Sequence, residues 1–295
     1  MKCDAYNESS GGGFHELDIA PILHQLLAEA TLEATPKQVL KLTTMPEWLR
    51  IGTRVYVPLL PKARFEDTFE ACERLLTWGM VPIPHIPARS VPSEGVLHQW
   101  LWSLNHIGVQ HILLIAGEKN PPSGPFANTI ALLASGILAD HPLLGIGVAG
   151  HPEGHPVATH QELSSALAFK REYAERHQIE MWIVTQFSFG AERFIRWLED
   201  NQERLGPLPV YLGMPGPTRL KNLLYYAAQC GVVESVGALR RNLKASQLLK
   251  PWTPTLLVQE MARYKAVNPT TAFGGIHLYP FGGLKQSAQW LRGNY

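Results

Sequence analysis

Eight apolar, β-rich runs alternate with amphipathic runs along most of a 295-residue chain, and no strand–GxGxxG–helix unit interrupts them. The alternation and the length predict an α/β fold, a single (β/α)8 TIM barrel, for which about 250 residues is typical. The missing glycine fingerprint sets aside the open doubly wound sheet.

The elements follow in order. Residues 1–14 are polar and glycine-rich and are expected to form a flexible N-terminal segment; residues 15–295 are expected to form one barrel domain. From His15 to Ala30, the residues Leu17, Ile19, Ile22, Leu23, Leu26 and Leu27 trace one apolar face, which predicts an extra N-terminal helix. The strand candidates are Thr31–Thr35, Arg54–Leu60, Val81–Ile86, Gln110–Ala116, Leu144–Ala149, Met181–Phe187, Val210–Met214 and Gly275–Tyr279.

Helices are predicted over Phe65–Trp78, Glu94–Ile107, Phe126–Leu138, His160–His177, Ala191–Arg204 and Thr218–Gln229. Ser93-Glu94 and Thr159 with Glu162 supply helix-start chemistry for two of them. Pro36–Gly52 is a weaker helix candidate, because Thr43-Thr44-Met45-Pro46 interrupts it. Between Val232 and Pro269 the chain is helix-rich, longer than one crossover needs, and broken by Pro251 and Pro254. This stretch reads as a helical insertion before the last strand.

Composition narrows the function. With 26 basic and 25 acidic residues the formal charge is +1, which provides no electrostatic footprint for nucleic acid or an acidic membrane. A small-molecule ligand is favoured, and homo-oligomerisation is left open. Cys3, Cys72 and Cys230 are far apart, without zinc-type spacing, and an odd number suits a reducing compartment. The opening MKCDAYNESSGGGF lacks the apolar core of a signal peptide, and no run is long enough to span a bilayer. A cytoplasmic location is therefore expected.

In a parallel barrel, ligands bind at the C-terminal strand ends. There the sequence places Glu33, Tyr56, His85, Arg89, Glu118, Lys119, His151, Glu153, His155, Thr185, Gln186, His277 and Tyr279. Glu33 lies in an apolar run, where desolvation would raise its proton affinity and suit it to general acid catalysis. The competing reading is a structural carboxylate paired with a base such as Arg54. Gln186 can donate and accept at once, which suits a heterocycle edge, or it can simply satisfy neighbouring backbone.

The segment from His151 to Pro156, HPEGHP, carries two imidazoles and a carboxylate. Its spacing is not HExxH and does not put both rings on one helical face, so no metal is assigned. Lys170-Arg171 is either a solvated helix face or a phosphate contact. Gly117 and the turn Asn120–Gly124 could present backbone N–H groups to an anion, or form an ordinary loop. His106, His111, His141 and His177 are read as ordinary packing or loop residues.

Seven of these segments, in order, resemble the methylenetetrahydrofolate reductase family. Leu32-Glu33-Ala34-Thr35-Pro36 resembles its opening Phe-Glu-Phe-x-Pro strand, and Val81–Ala88 its Pro-His strand. Leu114–Gly124 is similar to its strand-four turn, and Val148–Pro156 to its Ala-x-Tyr-Pro-Glu-x-His-Pro. Ala168–Arg171 is similar to its Lys-Arg-Lys helix, Thr185–Phe189 to its Thr-Gln-Phe-Phe-Phe, and His277-Leu278-Tyr279 to its final strand.

The resemblance implies a barrel that binds FAD, uses NAD(P)H, and interconverts 5,10-methylenetetrahydrofolate and 5-methyltetrahydrofolate. It implies Glu33 as the acid that opens the folate ring, with Glu118, Gln186 and Tyr279 on the folate. Tyr56, His85, Gly117, His151, His155, Lys170 and Arg171 would contact the flavin or its phosphates. The sequence departs from the family pattern at Ala116, Ala168 and Glu172, where the family has arginine, asparagine and lysine. It departs again at His151 and Glu118, which replace tyrosine and aspartate. Direct hydride transfer without FAD, oxidation of methyltetrahydrofolate, a pterin-binding methyltransferase and a non-catalytic folate binder stay open as alternatives.

Overall fold

The computed structural model describes residues 18–229, 232 and 251–293. Eight parallel strands close a barrel in chain order. They are β1 (Thr31–Glu33), β2 (Arg54–Val57), β3 (Val81–Pro87), β4 (His111–Ile115), β5 (Gly145–Gly150), β6 (Glu180–Thr185), β7 (Val210–Pro215) and β8 (Phe273–Tyr279). Each coincides with an expected strand and differs only at its ends. β1 stops at Glu33 because Thr35 already caps the next helix. Its hydroxyl accepts from the Gln38 backbone N–H, and the Gln38 side chain accepts from the Thr35 N–H.

The helices around the sheet are α1 (Ala20–Ala28), α2 (Pro36–Leu40), α3 (Phe65–Thr77), α4 (Glu94–His106), α5 (Thr129–Ala134) and α6 (His160–His177). After them come α7 (Ala191–Asp200), α8 (Gln202–Leu205), α9 (Leu220–Gln229), α10 (Thr255–Val267) and α11 (Leu284–Gly293). The α6 span matches the expectation residue for residue, fixed at its start by the Thr159–Glu162 capping box.

Three expected helices change. Phe126–Leu138 shortens to α5 and a 3-10 turn at Ile137–Asp140, since Asn128 caps α5 and Gly136 follows it at φ +80°. Ala191–Arg204 breaks at Asn201 into α7 and α8, and Pro36–Gly52 contributes only α2. The expected extra N-terminal helix is α1, which packs on α10 and β8. Residues 1–17, with Cys3 and the expected flexible segment, lie outside the described residues, as do Cys230 and residues 233–250 of the expected insertion. The described part of that insertion carries α10. The closing helix α11 was not expected; it buries Leu284, Ala288 and Leu291 against the barrel.

Side chains alternate across each strand. The outward set, including Leu32, Val55, Ile112, Ile146, Ile183, Leu212 and Ile276, joins the helices in one core. The inward set, Tyr56, Ile83, Leu113, Trp182 and Val184, forms a separate plug inside the barrel. Filling by side chains is what makes such a barrel solid rather than a pore. Two residues beyond Ile83 and Val184 the inward positions become His85 and Gln186, as two beyond Thr31 and His277 they become Glu33 and Tyr279, and the chemistry turns polar. Among the described residues no helix is long and apolar enough to cross a membrane.

Candidate functional site

The floor of the mouth is closed by satisfied polar groups. Tyr56 is 1% exposed, and its hydroxyl accepts from the Trp182 indole N–H at 2.8 Å. Thr31 Oγ1 and His277 Nδ1 lie 2.7 Å apart, and the Tyr56 and His277 rings meet edge-on at 4.6 Å. Burial raises the Tyr56 phenol above its ordinary value. The structure thus places Tyr56 in the packed interior, where it has almost no surface to offer a flavin.

Above this layer the balance changes. The Glu33 carboxylate and His85 Nε2 are 3.8 Å apart, too far for a hydrogen bond, and His85 Nε2 is buried with no hydrogen-bond partner. Burial pushes the Glu33 carboxyl up to about 7 and drives the His85 imidazole down to about 3. Near neutral pH the pair is therefore an uncharged or half-ionised acid beside a neutral imidazole, not an ion pair. His277 is also held near 3, first by burial and then by His85. Glu33 still keeps 21% of its side-chain surface, so a ligand can reach it. Its expected alternative partner, Arg54, donates instead to the Tyr211 hydroxyl at 3.2 Å.

On the β6–β8 side the wall is aromatic. The Tyr279 hydroxyl donates to the Thr185 carbonyl at 3.0 Å, which pins the ring. The position is available because Gly213 has no Cβ: one there would lie 2.7 Å from the Tyr279 ring and 2.3 Å from the Thr185 carbonyl oxygen. Phe187 and Phe281 pack edge-on at 4.9 Å, and Phe281 stacks on Tyr226 at 4.3 Å and 14°. Gln186 is half-buried at the start of this wall, and its side-chain oxygen accepts from the Phe187 N–H at 3.0 Å. Its amide N–H groups are left for other partners.

The loop after β5 is tied across the mouth, since the Ser188 hydroxyl donates to Glu153 at 2.6 Å. The His151 and His155 rings meet edge-on at 5.1 Å. Burial, the Lys170 cation and His155 together hold His151 near 3. His155 Nδ1 accepts from the Val157 and Ala158 N–H groups, so that ring serves its own turn. Among the described residues no group of three or more metal-ligating side chains gathers.

Lys170 is 4% exposed and donates to the Ala149 carbonyl at 2.9 Å, with burial lowering its ammonium to about 8. Arg171 donates to the Glu203 carbonyl at 2.6 Å and lies 3.6 Å from Glu175. It ties α6 to α8 and is not brought to the mouth.

After β4, Gly117 takes φ +81°, and a Cβ there would lie 2.9 Å from Pro87. That requirement is steric and explains the glycine without any anion. Glu118 is exposed on the same loop. Arg89 is spent on the Ala127 carbonyl at 2.7 Å. Of the four histidines set aside, His106 stacks on Trp102, His177 on Tyr173 and His111 tilts against Trp182, while His141 lies 3.1 Å from His98.

Sequence reasoning missed Thr31, Trp182, Tyr226 and Phe281. Thr31 and Trp182 carried a usable signal, since each shares strand parity with an assigned residue: Thr31 with Glu33, two positions on, and Trp182 with Gln186, four positions on. Tyr226 and Phe281 come from elements after β7 and β8, and nothing in the sequence ties them together.

No known family's sequence model matches the chain, so membership of the reductase family is not shown. Among solved structures the chain is similar to a dihydropteroate synthase from Thermus thermophilus. The identity is 14% over 91% of this chain and 96% of that one, with a TM-score of 0.44. A likeness this distant carries no argument about ligand or reaction.

Proposed function

We propose that the chain is an oxidoreductase resembling methylenetetrahydrofolate reductase, interconverting 5,10-methylenetetrahydrofolate and 5-methyltetrahydrofolate with NAD(P)H. The observation that carries this reading is Glu33, an accessible carboxyl at the end of β1 whose burial sets its proton affinity near neutrality. A general acid works best when its pKa lies close to the operating pH. Gln186 and Tyr279 border the same mouth and suit the polar edge and flat face of a pterin.

The residues present do not fit the phosphate end of FAD. Lys170 is turned inward onto Ala149, Arg171 is held by α8, and Ala116 has no charge to give. The route proposed is therefore the direct transfer of hydride from the nicotinamide.

In the reducing direction Glu33 donates its proton to the folate nitrogen, which breaks the C–N bond of the five-membered ring and leaves an iminium. Hydride from the nicotinamide adds to the iminium carbon as the methyl group forms, and NAD(P)+ departs. Glu33 then regains a proton from solvent. His85 stays neutral beside Glu33 and adds no charge that would draw the proton off prematurely. The floor of Tyr56 and Trp182 excludes water from below.

The test is NAD(P)H oxidation by methylenetetrahydrofolate in protein freed of flavin. Turnover unchanged by added FAD supports direct transfer. Turnover that depends on FAD restores the flavin route, and no conversion in either direction overturns the oxidoreductase reading.

A further inference from the structure

Away from the mouth, on the helical flank of the barrel, two histidines meet. His98 sits in the second turn of α4, a helix started by the Ser93 hydroxyl, which accepts from the Val96 N–H. His141 directly follows the 3-10 turn at Ile137–Asp140, against which α4 packs. The His141 backbone is held on both sides. Its N–H donates to the Leu138 carbonyl at 3.3 Å, and its carbonyl accepts from the Leu143 N–H at 2.8 Å. Both rings are carried by fixed backbone, and both are half-buried, within reach of an ion from solvent.

His98 Nδ1 and His141 Nε2 lie 3.1 Å apart, with the ring planes tilted at 42°. Two fillings fit that distance. One is a proton, with the N–H of one ring donating to the lone pair of the other. The other is a metal ion. Imidazole nitrogens bind Zn2+ at about 2.0–2.1 Å, and two such bonds about 90–110° apart leave the nitrogens about 2.8–3.4 Å from each other.

As a mere tie between α4 and the turn, the pair is a poor choice. It holds only while one ring is neutral and in the right tautomer, and the rings repel once both are charged. As a pair of ligands it is better suited. Burial first, and then His98, lower the His141 imidazole from its ordinary value against the opposing pull of Asp140. A neutral ring is the form that binds a metal.

We propose that His98 and His141 form a binding site for a divalent transition-metal ion of the zinc class, completed by water. To fill it, the proton between the rings passes through solvent to the far nitrogen of the ring that carried it. Both near nitrogens then give their lone pairs to the ion, with no net loss of a proton and no redox change. No third ligating side chain gathers there among the described residues, so water takes the other coordination positions. Such an ion exchanges with solvent, unlike one closed in by four protein ligands. Its effect is to staple α4 to the segment that enters β5. The site is separate from Glu33 and does not rest on the folate reading.

Calorimetric titration of the full chain with zinc chloride, paired with thermal melting, tests the assignment. The tightest zinc site is expected to have a stoichiometry of one, and Tm should rise by about 3–5 °C at a hundredfold excess over Kd. His98→Gln and His141→Gln should each weaken that site about tenfold or more and remove most of the rise. Each rise is read against the variant's own metal-free Tm, so lost folding is not mistaken for lost binding. His106→Gln is the control: its ring stacks on Trp102 eight residues further along α4, about 12 Å from His98, and the variant should bind zinc as wild type does. Absence of zinc uptake by wild type overturns the proposal. Uptake that survives His98→Gln or His141→Gln overturns it as well, and its loss in His151→Gln instead would move the ion to the loop after β5.

Discussion

On the β6–β8 side of the mouth, Phe187, Tyr226, Tyr279 and Phe281 pack ring against ring. On the β1–β4 side, Lys37, Lys41, Lys62 and Lys119 line two adjoining cavities that carry one acid among the described residues, Asp67. One edge offers flat apolar surface with a few fixed polar groups, and the other offers charge and little fixed geometry. Stacking rewards a planar group held in one orientation. Loosely held cations reward negative charge wherever it lies within reach. Glu33 stands between the two edges, so the mouth is apolar and fixed toward β6–β8 and cationic toward β1–β4.

The strongest test of that division removes the group between the halves. Glu33→Gln is expected to lower kcat about 10²–10⁴-fold, the usual contribution of a general acid, and to leave the folate Kd nearly unchanged. A steady-state assay paired with calorimetry checks both, and wild-type rates would take Glu33 out of the mechanism. Next, Phe187→Ala empties a fully buried site in the aromatic half and should cost about 3–5 kcal/mol in denaturant unfolding. Its remaining folded fraction should bind folate more weakly, and unchanged affinity would take the aromatic half out of the site.

The pH dependence is smaller and has a definite sign. Reduction needs the protonated acid, so kcat/KM should fall about tenfold per unit as pH rises above about 7, whereas the reverse oxidation needs the carboxylate and should rise as pH climbs toward 7 and level off above it. Stability responds differently. His85 and His277 are held neutral by burial, with folded values near 3 against 6.5 for the exposed ring. Their contribution is complete above 6.5 and is lost as pH falls toward 3, at about 1.4 kcal/mol per pH unit for each extra proton bound by the unfolded chain. Unfolding midpoints of Glu33→Gln measured between pH 7 and 4 check this, because in wild type the Glu33 carboxyl, raised to about 7 in the folded chain, takes up a proton over the same window and offsets one histidine. The smallest effect belongs to Arg171→Gln. It should cost about 1 kcal/mol or less in stability and leave folate and NAD(P)H kinetics unchanged, since that side chain serves α8. A raised KM for NAD(P)H would return Arg171 to the site.

The barrel was legible because its signals repeat: eight apolar runs and two helix starts, Ser93 and the Thr159–Glu162 capping box, all agree with the same closed sheet. Strand parity then carried Glu33, His85, Gln186 and Tyr279 to one mouth. It could not separate Tyr56 from them, because one step deeper along a strand is the difference between a wall and a packed floor. Lys170 and Arg171 show a second limit. Neighbours on a helix point about 100° apart, so one is buried under Ala149 while the other reaches α8, and their adjacency concealed two destinations. The aromatic half was only partly legible: Tyr279 was assigned and Phe187 lay in the Thr185–Phe189 segment, but Tyr226 and Phe281 come from elements after β7 and β8 that nothing in the sequence ties together. The lysine cluster escaped because only Lys119 was assigned to a strand end; Lys37 and Lys41 come from α2 and its C-cap, and Lys62 from the turn before α3.

The strand that holds Glu33 is the shortest of the eight. β1 spans three residues, joined to β8 through Thr31↔His277 and Leu32↔Leu278, and to β2 through Leu32↔Val55 and Glu33↔Tyr56. A closed barrel has no edge strand until some ladder opens; β6 and β7 also meet through two pairs, but only β1 has a two-pair ladder on both sides, and a strand so briefly held parts most readily. Hydrogen exchange should therefore report its earliest cooperative opening along this seam, beside the residue whose proton affinity depends on staying dry. A ligand spanning from the aromatic to the cationic edge would bridge that seam from outside and slow the exchange of β1 amides ahead of all others. The barrel would be fastened by what it binds.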